Sequence, residues 1–235
     1  NDKLEPEELK RQIQWMHENG IGGFFMHARG GLKTEYLSEE WMKCVDVCCQ
    51  EAEKLGMNAW VYDENGWPSG FCGGKLLKNP KYRDQYILYN FGPADKHADV
   101  TYLMEGQQLK RVMSSCDVVG ECLNLYIKSS ASTVDILNPE VVEAFLSNTH
   151  YKYKEQFGDD FSHKFKGFFT DEPQISRNGI PWSFVLEDEY SKRYGENILE
   201  HLEELFLPVG EYKETRVKFW KMVTDLFSEN FMKQI

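Results

Sequence analysis

Phe165-Lys166-Gly167-Phe168-Phe169-Thr170-Asp171-Glu172-Pro173 is an apolar run that stops at two adjacent carboxylates and a proline. Pro173 has no N–H to give to a sheet ladder, so it marks where a strand ends. A buried strand with this ending presents acid groups at its C-terminal mouth, where α/β barrels hold their active sites. Successive strand residues face opposite ways, so only one of the pair continues the inward row. This pattern predicts Glu172 as a proton donor in an apolar surround and Asp171 as its orienting partner. Taken alone, Asp-Glu-Pro reads better as the lead into a loop.

A second cluster of the same kind shifts that balance. Trp60-Val61-Tyr62-Asp63-Glu64-Asn65-Gly66-Trp67-Pro68-Ser69-Gly70 is again a short aromatic and β-branched run ending in Asp-Glu and breaking into turns. Asn65-Gly66 and Pro68-Ser69-Gly70 are turn punctuation. The loop has neither a phosphate-loop Lys-Ser/Thr ending nor dinucleotide spacing, which argues against a nucleotide. Tyr62 and Trp67 beside Asp63 and Glu64 suit a sugar, whose ring face stacks on an aromatic while its hydroxyls bond carboxylates. Trp67 reads equally well as a core residue capping the strand end. A third run, Gly20 to Gly31, closes on His27 and Arg29. His27 is placed to bond a substrate hydroxyl, and Arg29 to pair with Asp63 or an acidic substrate group.

Between these runs lies helical grammar. Pro6–Asn19 opens with proline in the first turn, and Ser38 caps a segment that reaches Leu55 before Gly56. Asn138-Pro139 starts a third helix, with Val142, Phe145, Leu146, Thr149 and Tyr153 on one face. Further helices are read around Val185–Tyr194, Ile198–Phe206 and Glu214–Gln234. Strand, helix and strand with short links predict a parallel sheet with crossover helices. From Tyr82 to Ser130 the rhythm changes to extended pieces, Gln85–Phe91, Val100–Met104, Leu109–Ser115 and Cys122–Lys128, separated by glycine turns. These predict an inserted antiparallel β subdomain over 82–130. The expected fold is thus α/β: a partial (β/α)8 barrel from 1–81 and 131–235 carrying that insertion.

Composition narrows the partners. The 235 residues hold 27 basic and 38 acidic side chains, net −11, which argues against nucleic acid and anionic membrane. No apolar run is long enough to span a bilayer. The six cysteines, Cys44, Cys48, Cys49, Cys72, Cys116 and Cys122, show no Cys-x-x-Cys zinc spacing and read as reduced, buried thiols. That fits a reducing compartment and also fits secreted enzymes that keep free thiols.

The order Gly22-Gly23-Phe24, Tyr36-Leu37-Ser38-x-x-Trp41, Asp63-Glu64-x-x-Trp67-Pro68-Ser69-Gly70, Leu137-Asn138-Pro139 and Phe169-Thr170-Asp171-Glu172-Pro173 resembles the barrel core of large bacterial glycoside hydrolases. Within that group it is similar to the α-L-rhamnosidase-like glycoside hydrolase family 106 and its relatives. The resemblance implies a glycosidase acting on an oligo- or polysaccharide. Glu172 would be its general acid and a second carboxylate would lie on a strand outside this chain. It also implies that further segments, or a second copy, complete the barrel. In some relatives it implies a calcium ion near the sugar. Asp63, Glu64, Asp171 and Glu172 supply oxygens of the right type for that ion, although no calcium loop is readable. Two other classes fit the same residues: a non-catalytic carbohydrate-binding or assembly module, and a metal-dependent hydrolase using the carboxylates as ligands.

Overall fold

The computed structural model describes residues 2–106, 108–112, 118–175 and 178–235. In chain order the elements are α1 (Pro6–Glu18), β1 (Gly23–Ala28), α2 (Glu39–Lys54), β2 (Asn58–Asn65), β3 (Arg83–Gly92), β4 (Val100–Glu105), β5 (Gln108–Val112) and β6 (Cys122–Val134). They continue with α3 (Pro139–Asn148), α4 (His150–Phe157), α5 (Phe161–Lys164), β7 (Phe168–Phe169), β8 (Ile180–Trp182), α6 (Leu186–Tyr194), α7 (Glu203–Phe206) and α8 (Tyr212–Leu226). Short 3₁₀ turns join several of them. The architecture is mixed α/β, with one parallel and one antiparallel sheet.

Two compact units share the chain. Asn1–Lys78 with Glu143–Gln174 forms the first, and Asn79–Val142 with Ile175–Ile235 the second. This division differs from the expected one, because residues 175–235 cluster with the antiparallel strands rather than with the parallel ones.

In the first unit β1, β2 and β7 form a three-stranded parallel sheet in the order β1-β2-β7. A full barrel is not what these strands make; they form an open sheet. The crossover helix α2 and the preceding α1 begin as the caps predict: Ser38 Oγ accepts from the Trp41 N–H at 3.2 Å, and Pro6 opens α1 with Glu7 and Glu8 in the first turn. Gly23 is required where β1 meets β2, since a Cβ there would stand 2.6 Å from the Asn58 carbonyl oxygen. Strand alternation sorts the two faces of the sheet. Phe24, Met26, Ala28, Ala59, Val61 and Phe168 pack with Trp41, Val45, Cys48 and Tyr153 in one core. Phe25, His27, Trp60, Tyr62 and Phe169 lie on the other face as a run of touching rings. By parity Asp63 belongs with Val61 on the helix side, and Tyr62 and Asp171 belong with the aromatic side.

The predicted single helix after Asn138 is two. Asn138 Oδ1 accepts from the Glu140 N–H at 3.0 Å, as a cap should. The helix then breaks at Thr149, whose backbone leaves helical space (φ −128°, ψ −81°) and whose hydroxyl donates to the Phe145 carbonyl at 2.7 Å. A threonine bonding back four residues competes with the helix ladder, and periodicity does not register it.

The second unit is a five-stranded antiparallel sheet, order β5-β4-β6-β3-β8, against α6, α7 and α8. Its first four strands match the extended pieces read from the sequence; the end of the predicted Leu109–Ser115 piece and Cys116 lie outside the described residues. β8 was not foreseen, because Ile180-Pro181-Trp182 is too short to carry a pattern. It pairs with β3 through Gln85↔Trp182 and Ile87↔Ile180. Ile87, Tyr102, Leu123 and Leu125 meet Leu186, Tyr190, Ile198, Phe219 and Met222 in the core. Cys44, Cys48, Cys49, Cys72 and Cys122 are all free and buried, and burial raises each thiol's pKa.

The depth of burial sets a measurable contrast. Leu125 is 0% exposed and Leu88 40%. Leu125→Ala should cost about 2–5 kcal/mol in urea unfolding, through lost transfer energy and a cavity. Leu88→Ala should stay within about 0.5 kcal/mol of wild type.

Candidate active site

Asp63 holds two distant pieces of chain together in the first unit. Its side chain is fully buried on the helix side of β2. Oδ1 accepts from Ser69 Oγ and Oδ2 from Thr170 Oγ1, both at 2.6 Å. Ser69 in turn accepts the Asp171 N–H at 2.9 Å, and its own N–H donates to the Asp171 carbonyl at 2.9 Å. The loop after β2 and the segment after β7 are thus laced through one carboxylate and one serine. Burial pushes the Asp63 pKa up to about 7, although both hydroxyls favour the charged form.

Glu64 points the other way and anchors the loop on itself. Its two oxygens accept from the backbone N–H groups of Asn65, Gly70, Cys72 and Gly73. The turn that aims these donors inward needs positive φ at Gly66, Gly70 and Gly73, and also at Cys72 (φ 54°). Burial raises the Glu64 pKa while the four N–H groups pull against it. With 0% exposure, Glu64 offers no open oxygen to a sugar hydroxyl.

The open residues lie at the C-terminal ends of the strands. Arg29 Nη2 meets Asp171 Oδ2 at 2.9 Å, so the arginine pairs with Asp171 and not with Asp63. Its Nε donates to His27 Nε2 at 3.0 Å, and its guanidinium lies 5.5 Å from the centre of the Tyr62 ring. His27 stands edge-on to Tyr62, with ring centres 3.9 Å apart. Burial, then the Arg29 charge, lowers the His27 pKa, so the neutral imidazole accepts from Arg29. Tyr62 is itself fully buried and donates to the Gly66 carbonyl at 2.7 Å. Burial pushes its phenol up to about 12.

Glu172 is exposed, so the apolar surround expected around it is absent. Its backbone sits in the left-handed region, φ 42°, which costs a non-glycine residue about 1–2 kcal/mol. Gln174 Nε2 donates to its carbonyl at 2.6 Å. A left-handed residue directly after the Ser69-tied Asp171 turns the Glu172 side chain off the line of the strand. Trp67 is 43% exposed on the loop anchored by Glu64. Two concavities of this unit, one lined by Cys49, Met57, His163 and Lys164 and the other by Leu9, Ile13, Met16 and Phe24, include neither Asp171 nor Glu172.

The structure thus brings His27, Arg29, Tyr62 and Asp171 into one contacting group, and sets Asp63 beneath it. Glu64 serves the loop. The oxygens offered to a calcium ion do not fit one: those of Asp63 and Glu64 are buried and occupied, and Asp171 faces a guanidinium. Among the described residues no cluster of three or more His, Cys, Asp or Glu side chains could hold a metal. Ser69, Thr170 and His150 were missed as site residues. Ser69 and Thr170 stand in the quoted motifs but read as turn and strand, and His150, which approaches Asp63 to 3.9 Å, follows the unforeseen helix break.

Neither a family model nor a curated protein sequence matches the chain. Among solved structures it is similar to a rhamnosidase from Novosphingobium sp. PP1Y, with a TM-score of 0.60 at 9% sequence identity. The match covers 97% of this chain and 43% of that one, so the chain spans less than half the length of the rhamnosidase chain it matches. At this identity the likeness is one of fold.

Glu64→Gln should therefore act on folding. One oxygen becomes an NH₂ facing backbone donors, and the fully buried cage loses its charge-assisted bonds. Chemical denaturation should show a loss of about 2–4 kcal/mol. A loss under about 0.5 kcal/mol, the range of an ordinary surface change, would contradict the anchoring role.

Proposed function

We propose that this chain is part of a glycoside hydrolase acting on an oligo- or polysaccharide, with α-L-rhamnosides as the first substrates to test. Glu172 is its general acid. The observation that carries this reading is the rim itself: an exposed carboxylate in a left-handed turn, directly after an aspartate fixed by Arg29 and Ser69. The fold likeness to a rhamnosidase supports it, as does the family resemblance of the motifs.

In this mechanism Glu172 donates its proton to the leaving oxygen as the glycosidic bond breaks and positive charge grows on the sugar ring. Asp171 stays fixed by Arg29, which neutralises the charge beside Glu172 and fixes the backbone from which Glu172 projects. Trp67, half-exposed on the anchored loop, stacks on a sugar face. His27 presents a neutral ring to a hydroxyl. Asp63 and Glu64 are too deep to touch sugar, so their part is to hold the loop and the rim. The base or nucleophile on the opposite side of the sugar comes from a segment outside Asn1–Ile235, and a partial (β/α)8 barrel is the arrangement that would bring it there.

A carbohydrate-binding role without turnover is favoured by one observation, the exposed rings of Phe25, Phe169 and Trp67. Turnover separates the two. In the full-length protein Glu172→Gln should lower kcat/KM about 10²–10⁴-fold for a glycoside with a poor leaving group. For an activated aryl glycoside, which barely needs protonation, the loss should be under about tenfold. Binding without hydrolysis in the wild-type full-length protein would favour the binding role, and near-wild-type rates of Glu172→Gln on both substrates would remove Glu172 as the acid.

A further inference from the structure

His150 is a buried histidine whose two ring nitrogens are in unequal positions. Thr149 Oγ1 commits its only hydrogen to the Phe145 carbonyl at 2.7 Å, so toward His150 Nδ1, at 2.9 Å, it can only accept. Nδ1 therefore carries a proton. Nε2 is buried with no hydrogen-bond partner, and it points at Asp63 Oδ2, 3.9 Å away. The rings of Phe145 and Phe168 flank the imidazole at 5.3 and 4.3 Å. A bare Nε2 lone pair facing an ionised carboxylate in such surroundings leaves a buried acceptor unpaired and a buried charge uncompensated, and both are costly.

We propose that Asp63 and His150 hold one proton between them at neutral pH, and that His150 is thereby a positioning residue for the rim, keeping Asp63 aimed at Ser69 and Thr170. One proton satisfies both groups at once, whether it resides on oxygen or on nitrogen. A hydrogen bond of this kind spans about 2.8 Å, so a small tilt of the ring, about 1 Å at Nε2, closes it. The other groups bearing on Asp63 are Glu64, Tyr36, Tyr62, Tyr153 and Cys72. None of them is a cation.

The direction of each pKa agrees. Burial raises Asp63 to about 7 and lowers His150 to about 4. The stability tied to protonated Asp63 is present below its unfolded pKa, about 3.9, and is lost as pH rises through its raised folded value. For His150 the stability is present above its unfolded pKa, about 6.5, and is lost as pH falls through its lowered folded value. Across most of the acid range the unfolded chain keeps its proton on the histidine and the folded chain keeps it in the pair. The numbers match, so the pair adds little pH dependence there and loses its proton as pH rises through about 7.

The proposal takes the rim to be the site, but its test needs no turnover. The chain labelled with ¹⁵N-histidine is titrated between about pH 5 and 9 while the ring nitrogens are followed by NMR. The expected result is a hydrogen-bonded Nε2 below neutrality that changes in one step as pH rises through about 7, with the step abolished by Asp63→Asn. The shift of an unbonded nitrogen over the whole range, indifferent to Asp63→Asn, would overturn the shared proton. Positioning is read at the Asp171 amide, which donates to Ser69 Oγ. His150→Leu should move that resonance and His150→Gln, whose amide can donate to Asp63, should return it toward wild type. An Asp171 amide unmoved by His150→Leu would overturn the positioning role, and if the leucine variant does not fold, Asp63→Asn is read at the same amide.

Discussion

One buried carboxylate carries the rim. Asp63 is taken wholly out of water and accepts hydroxyl hydrogen bonds from Ser69, six residues on, and from Thr170, 107 residues on. Hydrogen bonds to a charged group contribute about 1.5–3 kcal/mol each, against a desolvation cost of the same order. Their value here lies in geometry. Removing either hydroxyl cuts one of the ties between the two segments, which the Ser69 N–H to Asp171 carbonyl bond also joins, and the Asp171 backbone, the Arg29 ion pair and the turn at Glu172 all stand on that junction. Glu64 does the complementary task inside the loop, where four backbone N–H groups close on one side chain. Two adjacent acids on opposite faces of one strand thus perform different work, and neither meets solvent.

That distinction was out of reach of the sequence. Strand alternation says that Asp63 and Glu64 face opposite ways, but not which face the helices cover or that the loop folds back over Glu64. Local grammar was legible: the caps at Ser38 and Asn138, the three parallel strands, although the second runs past Tyr62 to Asn65, and the glycine-separated antiparallel strands. Each of those depends on neighbours in the chain. His150 depended on a threonine leaving helical space, and β8 on three residues finding a partner across the unit, so neither left a periodic signal. Glu172 was expected in an apolar surround and stands exposed instead, because exposure at a strand end is set by what packs around it.

The chemistry follows the same division between depth and rim. Desolvation makes Asp63, His150 and Tyr62 unusual acids and bases, yet they are sealed under the surface. In the proposed reading the groups that would meet a substrate are Glu172, Asp171, His27 and Trp67, and the buried ones hold the segments that carry them. In such an arrangement a substitution in the lower layer acts on the rim through geometry.

The most direct measurement is the pH dependence of kcat/KM for the full-length protein on a glycoside with a poor leaving group, in the wild type, Glu172→Gln and Asp171→Asn. If Glu172 is the acid, wild-type activity falls on the alkaline side as its proton is lost, Glu172→Gln lacks that limb, and Asp171→Asn keeps it. An alkaline limb that survives in Glu172→Gln and vanishes in another variant would place the acid elsewhere.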